Sequence, residues 1–123
     1  MVFLSLVIDN MAILPYDISK FTEVVMKETD TFRIQAQLLR ALANEARLKI
    51  VDRLSNGVRS VGQLTEFVGL DQSTVSKHLS LLKAHGIVRD RRDGNVVFYE
   101  LLTPCVLNFF ACATQVIKER AGR

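Results

Sequence analysis

The sequence predicts a mostly helical domain with one small β-hairpin, an α+β arrangement. Three observations carry that reading. Apolar residues recur at helical spacing through most of the chain. A three-residue turn, Gly69-Leu70-Asp71, separates two of the helical stretches, and an Asp93-Gly94 pair stands between two runs of strand-like composition.

Phe32, Leu38, Leu39 and Leu42 form the first clear stripe, with Asp30 or Thr31 placed to cap its start. A second helix is expected from Glu45 to Ser55, carrying Leu48, Ile50, Val51 and Leu54, with Gly57 as a left-handed cap. Ser60-Val61-Gly62-Gln63 is a capping box that opens a third helix through Val68, ended by Gly69. Asp71 is expected to accept from the free amides of a fourth, Gln72 to His85, closed by Gly86. Helices joined by so short a glycine-containing turn have the spacing of a helix-turn-helix. Ile87–Arg92 and Asn95–Leu101 read as the hairpin strands. Thr103 is expected to cap a last helix, with Pro104 at its first position, running to about Arg120.

The chain has 123 residues, 49% of them hydrophobic and 24% charged, which suits one folded domain and excludes a disordered or low-complexity chain. Its net charge of +3 is uneven: residues 1–32 carry −3 and residues 33–123 carry +6. The basic part makes a polyanion a natural partner. Residues 1–30 therefore read as an N-terminal extension, and 31–123 as the working domain. Within the extension Ile18, Phe21 and Val25 predict a short amphipathic helix near 18–28, and Met11 and Met26 stand as alternative starts. The apolar stretch Met1–Ile8 has no basic residue before it and is cut by Asp9, which argues against a secretory signal. Two cysteines are too few for a disulfide scaffold, and the expected compartment is a reducing cytoplasm. Leu101–Ile117 is uncharged but includes Pro104, Asn108 and Gln115, and a membrane span needs about twenty apolar residues. No membrane association is expected. That stretch reads instead as an interfacial helix, pairing with the helix at 32–43 in a homodimer.

On the fourth helix Val75, Leu79 and Leu82 must face the core. The other face begins with Gln72, Ser73, Thr74, Ser76, Lys77 and His78, the small donors and acceptors that a helix entering the major groove of double-stranded DNA requires. A solvated helix face is the competing reading. Arg89, Arg91 and Arg92 precede the hairpin tip, where guanidiniums can straddle phosphates or enter a minor groove. Paired carboxylates, a nucleophile–base set and a phosphate loop are not seen in the sequence, and an enzyme is not expected.

Ala41-Leu42-Ala43-Asn44-Glu45-Ala46-Arg47-Leu48-Lys49-Ile50, followed by the stretch from Asp71 to Val88, resembles the ArsR family of bacterial and archaeal winged-helix repressors. Arg91-Arg92-Asp93-Gly94-Asn95-Val96-Val97-Phe98-Tyr99 is similar to the family's wing. The resemblance spans roughly 32–120. It implies a winged helix-turn-helix, a homodimer formed through the first and last helices, and a transcriptional regulator often released from DNA by a metal, metalloid or oxidant. The Cys-x-Cys pair of the family's arsenic sensors is missing, since Val61-Gly62-Gln63-Leu64-Thr65-Glu66 stands there. The last helix has neither the Asp nor the His of the zinc sensors. His78 and His85 both lie on the fourth helix, where a DNA-facing or capping role outweighs metal binding.

Cys105 and Cys112 remain. They are either small apolar packing residues or a thiol site for a thiophilic metal or metalloid ion. Cys105 falls at the second helical position, where the dipole favours negative charge. Seven residues span about 10 Å of helix axis, too far for one disulfide within a chain. Across an antiparallel two-fold pair of final helices the two meet if the axis passes between Asn108 and Phe109. A winged helix that binds other proteins and never reads bases is the alternative function.

Overall fold

The computed structural model describes residues 30–122, and the short helix expected near 18–28 lies outside the described residues. The element order is α1 (Thr31–Leu42), α2 (Glu45–Leu54), β1 (Arg59–Ser60), α3 (Val61–Val68), α4 (Gln72–Ala84), β2 (Val88–Asp93), β3 (Val96–Leu101) and α5 (Cys105–Ala121). The five helices and the hairpin predicted from Asp30 onward are present, with bounds shifted by a residue or two. The two-residue strand β1 was not predicted. It pairs antiparallel with β3, Arg59 opposite Tyr99 and Ser60 opposite Phe98, giving a three-stranded sheet in the order β1-β3-β2.

The core lies between α2, α3, α4 and the inner face of this sheet. Ile50, Val51, Leu64, Val75, Leu79, Leu82 and Ile87 have no measurable exposure. Full burial of such side chains contributes about 1.5–3 kcal/mol each. The period-2 pleat places Val88, Tyr99 and Leu101 on the same inner face, where all three are buried.

Capping shows where local chemistry matched expectation and where it did not. The box at α3 is complete: Gln63 N–H donates to Ser60 Oγ at 3.1 Å, and Ser60 N–H donates to Gln63 Oε1 at 2.9 Å. Gly69 ends α3 at φ +79°, a left-handed conformation that costs a residue without Cβ little. Asn44 caps α2, accepting from the amides of Ala46 and Arg47, a role that the sequence reading missed. Asp30 does stand at the N-cap of α1, but its carboxylate pairs with Arg33 rather than with the amides. The end of α2 is Ser55 in right-handed conformation, so Gly57 stands two residues past the cap and does not supply it. At α5 the N-cap is Pro104 itself, with no side-chain cap. Thr103 does not cap. Its Oγ1 is buried without a hydrogen-bond partner, and Cys105 is the first helical residue, not the second.

The terminal helices enter the core at one end each, through Ala41 and Leu42 of α1 and Val106 of α5, and leave most of their length outside it. Of the seventeen residues of α5 only Val106 is buried, with Leu107 and Phe110 resting on the core. Phe109 is 59% exposed, Ile117 67% and, on α1, Phe32 80%. Among the described residues no helix is long and apolar enough to cross a membrane.

Candidate nucleic-acid interface

The turn Gly69-Leu70-Asp71 sets α4 against α3, and the burial of Val75, Leu79 and Leu82 fixes which face of α4 turns inward. The outward face follows from the helical period. Gln72, Ser73 and Lys77 are exposed and Ser76 is half-buried between them. Ser80, one turn beyond Ser76, is exposed on the same stripe and was not predicted, although its i+4 spacing was there to be read.

Asp71 departs from expectation in a consequential way. It occupies the N-cap but makes no side-chain cap bond. Its two carboxylate oxygens accept from the hydroxyls of Ser73 and Thr74, each at 2.5 Å. These bonds, that from Ser73 first, hold the Asp71 carboxyl below its ordinary range. The backbone amide of Thr74 adds to that lowering, so the carboxylate stays beside the first turn of α4 without closing a cap.

His78 does not join the exposed stripe. It is half-buried, with Nδ1 3.3 Å from Arg47 Nη1. Arg47 also donates from Nε to the carbonyl of Ala41 at 2.5 Å, so it links the end of α1 to the middle of α4. His85 is exposed at the C-cap of α4.

The hairpin strands pair in register from Val88 opposite Leu101 to Asp93 opposite Val96, leaving Gly94-Asn95 as the loop. The tip is thus one residue later than the Asp-Gly pair suggested. Gly94 has φ +63° and Asn95 does not have positive φ, as in a type II′ turn. The pleat divides the arginines. Arg92 lies on the face that carries Asp90, Tyr99 and the core, the side of α4. Arg89 and Arg91 lie on the opposite face with Phe98 and Glu100. Arg89 donates to Glu100 from both Nε and Nη2 at 2.7 Å, so its charge is matched within the sheet. Lys83 of α4 pairs with Asp90 at 3.0 Å and fastens the wing to the helix. That neighbour holds the Asp90 carboxyl below its ordinary range.

Both cysteines are exposed, which rules out packing inside the chain's own core. Among the described residues no three His, Cys, Asp or Glu side chains converge as a metal site.

A tight helix-turn-helix with a polar outer stripe, followed by a two-stranded wing, defines a winged helix-turn-helix protein. Comparison with known proteins places it more narrowly. The profile of the family described as "Bacterial regulatory protein, arsR family" matches residues 44–90. An uncharacterised HTH-type transcriptional regulator of Mycobacterium tuberculosis is 34% identical over 93 residues, covering 75% of this chain and 82% of the relative. A solved homodimeric winged helix-turn-helix DNA-binding domain from Mycobacterium bovis superposes with a TM-score of 0.65 at 31% identity, covering 78% of this chain and 89% of that one. The antimony-specific transcriptional repressor AntR superposes with a TM-score of 0.66 at 28% identity, covering 80% and 89%. The chain belongs to the ArsR family of bacterial regulatory proteins and is a helix-turn-helix transcriptional regulator.

Proposed function

We propose that residues 31–123 form the DNA-binding domain of a homodimeric, sequence-specific repressor that works in the cytoplasm by binding and not by catalysis. The observation that carries this reading is the exposed stripe Gln72, Ser73, Ser76 and Lys77 at the leading end of α4. Gln72, Ser73 and Ser76 meet base edges and Lys77, Arg91 and Arg92 meet phosphates, whereas Thr74, expected among the readers, is half-buried with its hydroxyl on Asp71. Arg89 contributes less charge because Glu100 neutralises it. His78 acts from behind the helix through Arg47. Residues 1–30 are an extension outside that domain. The exposed apolar faces of α1 and α5, which carry Phe32, Phe109 and Ile117, bury each other across a two-fold axis. Repression is the sign given to the AntR protein by its description, and it is the sign adopted for this chain. The test is a gel shift of the full chain against its own promoter region at stated salt. A retarded band that survives non-specific competitor is expected. A chain that binds no duplex above competitor level is an interaction module instead.

A second reading concerns release, and rests on the exposure of both thiols on α5. In an antiparallel pair of these helices Cys105 of each chain approaches Cys112 of the other. Each such pair would offer two soft thiolate ligands to a thiophilic metal or metalloid ion. A two-electron oxidant would instead join them as a disulfide, two protons and two electrons leaving with it. Either event shifts α5 and, through the dimer, the spacing of the two α4 helices. DNA release on adding arsenite, antimonite or a mild disulfide oxidant is expected for the wild type and is lost in Cys112→Ser. An equal response in both proteins, or in neither, removes the cysteines from sensing.

A further inference from the structure

A serine hydroxyl in the major groove is ordinarily an ambiguous reader. Its rotor can donate to a keto oxygen or ring nitrogen, or accept from an amino group, so Ser serves any base. In this protein the rotor of Ser73 is committed. Ser73 Oγ lies 2.5 Å from one oxygen of Asp71, and Thr74 Oγ1 the same distance from the other. An ionised carboxylate can only accept, so both hydroxyl hydrogens point at Asp71 and the direction of each bond follows from chemistry alone. What Ser73 presents outward is then its remaining lone pairs. Ser73 is exposed on the outer stripe of α4, whereas Thr74 is half-buried, so Ser73 is the one of the two placed to meet a base.

We propose that Asp71 is a specificity-positioning residue, which fixes Ser73 as an acceptor-only reader of an exocyclic amino group, adenine N6 or cytosine N4. This deepens the proposed function and rests on α4 reading bases. Asp71 itself need touch no base. It acts by removing the donor state in which Ser73 would bond guanine O6 or N7, or thymine O4.

The test begins with selection of a randomised duplex library by the full chain, wild type and Ser73→Ala. The base pair whose preference Ser73→Ala flattens is the pair that Ser73 reads. At that pair, analogues remove one group at a time: purine for adenine or 2-pyrimidinone for cytosine deletes the amino group, and 2-aminopurine for guanine deletes the O6 oxygen. Deleting the amino group is expected to weaken wild-type binding about tenfold relative to its effect on Ser73→Ala, the range of one lost base contact. Deleting the keto oxygen should affect both proteins alike. In Asp71→Ala the rotor is free, and the amino-group dependence should fall several-fold at that pair while preferences elsewhere persist. Asp71→Asn, which keeps the shape of the turn, serves where Asp71→Ala fails to fold by circular dichroism. It should lose part of the dependence, because an amide can donate to one hydroxyl as well as accept from the other.

A wild-type protein more sensitive than Ser73→Ala to loss of the keto oxygen overturns the assignment. So does an amino-group dependence unchanged in both Asp71 variants. If Ser73→Ala flattens no position while selection still yields a sequence, Ser73 is not a reader and the inference fails alone. If selection yields no sequence at all, the base-reading function fails with it.

Discussion

The helix-turn-helix with its wing and the pair of terminal helices answer to different physics. In the first, one chain satisfies itself: Leu64, Val75, Leu79 and Leu82 are sealed from solvent, the α3 box is closed, and Lys83 ties helix to wing. In the second, α1 and α5 hold Phe32, Phe109 and Ile117 in the open, and α5 has one buried residue in seventeen. Apolar side chains so exposed mark a surface made for another surface. The contrast teaches that reading and assembly are separately encoded. The reading head is completed by local signals, and the terminal helices leave apolar faces that, in the proposed dimer, a second copy completes.

Five substitutions break or sharpen that contrast, in order of expected effect. Phe109→Glu places a charge at the exposed centre of α5 and should leave a monomer by analytical ultracentrifugation. Loss of the second half-site contact should then cost about a hundredfold or more in operator affinity. A folded, still dimeric Phe109→Glu protein would move the interface elsewhere. On the reading side, Lys77→Ala and Arg92→Ala should each lower the slope of log affinity against log salt by about 1, while dimerisation is untouched. Titrations at three or more salt concentrations check this.

Smaller still, Ser60→Ala opens the α3 capping box and should cost about 1 kcal/mol in denaturant unfolding, with no change in association. The smallest effect is acid-dependent. Asp90 beside Lys83 titrates below its ordinary range when folded, so it stabilises the protein above that ordinary range and the contribution fades as pH falls through the folded value. Asp90→Asn should therefore lower stability slightly at neutral pH, and the difference from wild type should vanish in acid. Thermal melts across that range measure it.

How far the sequence could be read follows the same division. The α3 box, the Gly69 turn and the hairpin rest on contacts between residues a few positions apart, and these were legible. The strand β1 was not, because two residues carry no periodicity and pairing with β3 is a long-range event. Asn44 was overlooked as a cap although its type and place were suitable. For the site, the stripe on α4 was legible from period alone. The inward turn of His78 toward Arg47 and the pairing of Arg89 with Glu100 were not, since each depends on a partner more than ten residues away. The Asp71 carboxylate illustrates competition at short range: the rule for caps named the residue, and the hydroxyls of Ser73 and Thr74 hold its oxygens more closely than the amides do.

The central claim is that two copies of this chain present two α4 helices to one face of DNA. Selection of a randomised duplex library by the full chain, followed by footprinting of the winners, tests it most directly. The expected result is a dyad-symmetric site whose half-site centres lie about 10–10.5 base pairs, or a multiple of that, apart. Enrichment of a lone half-site, or of no sequence, would contradict it.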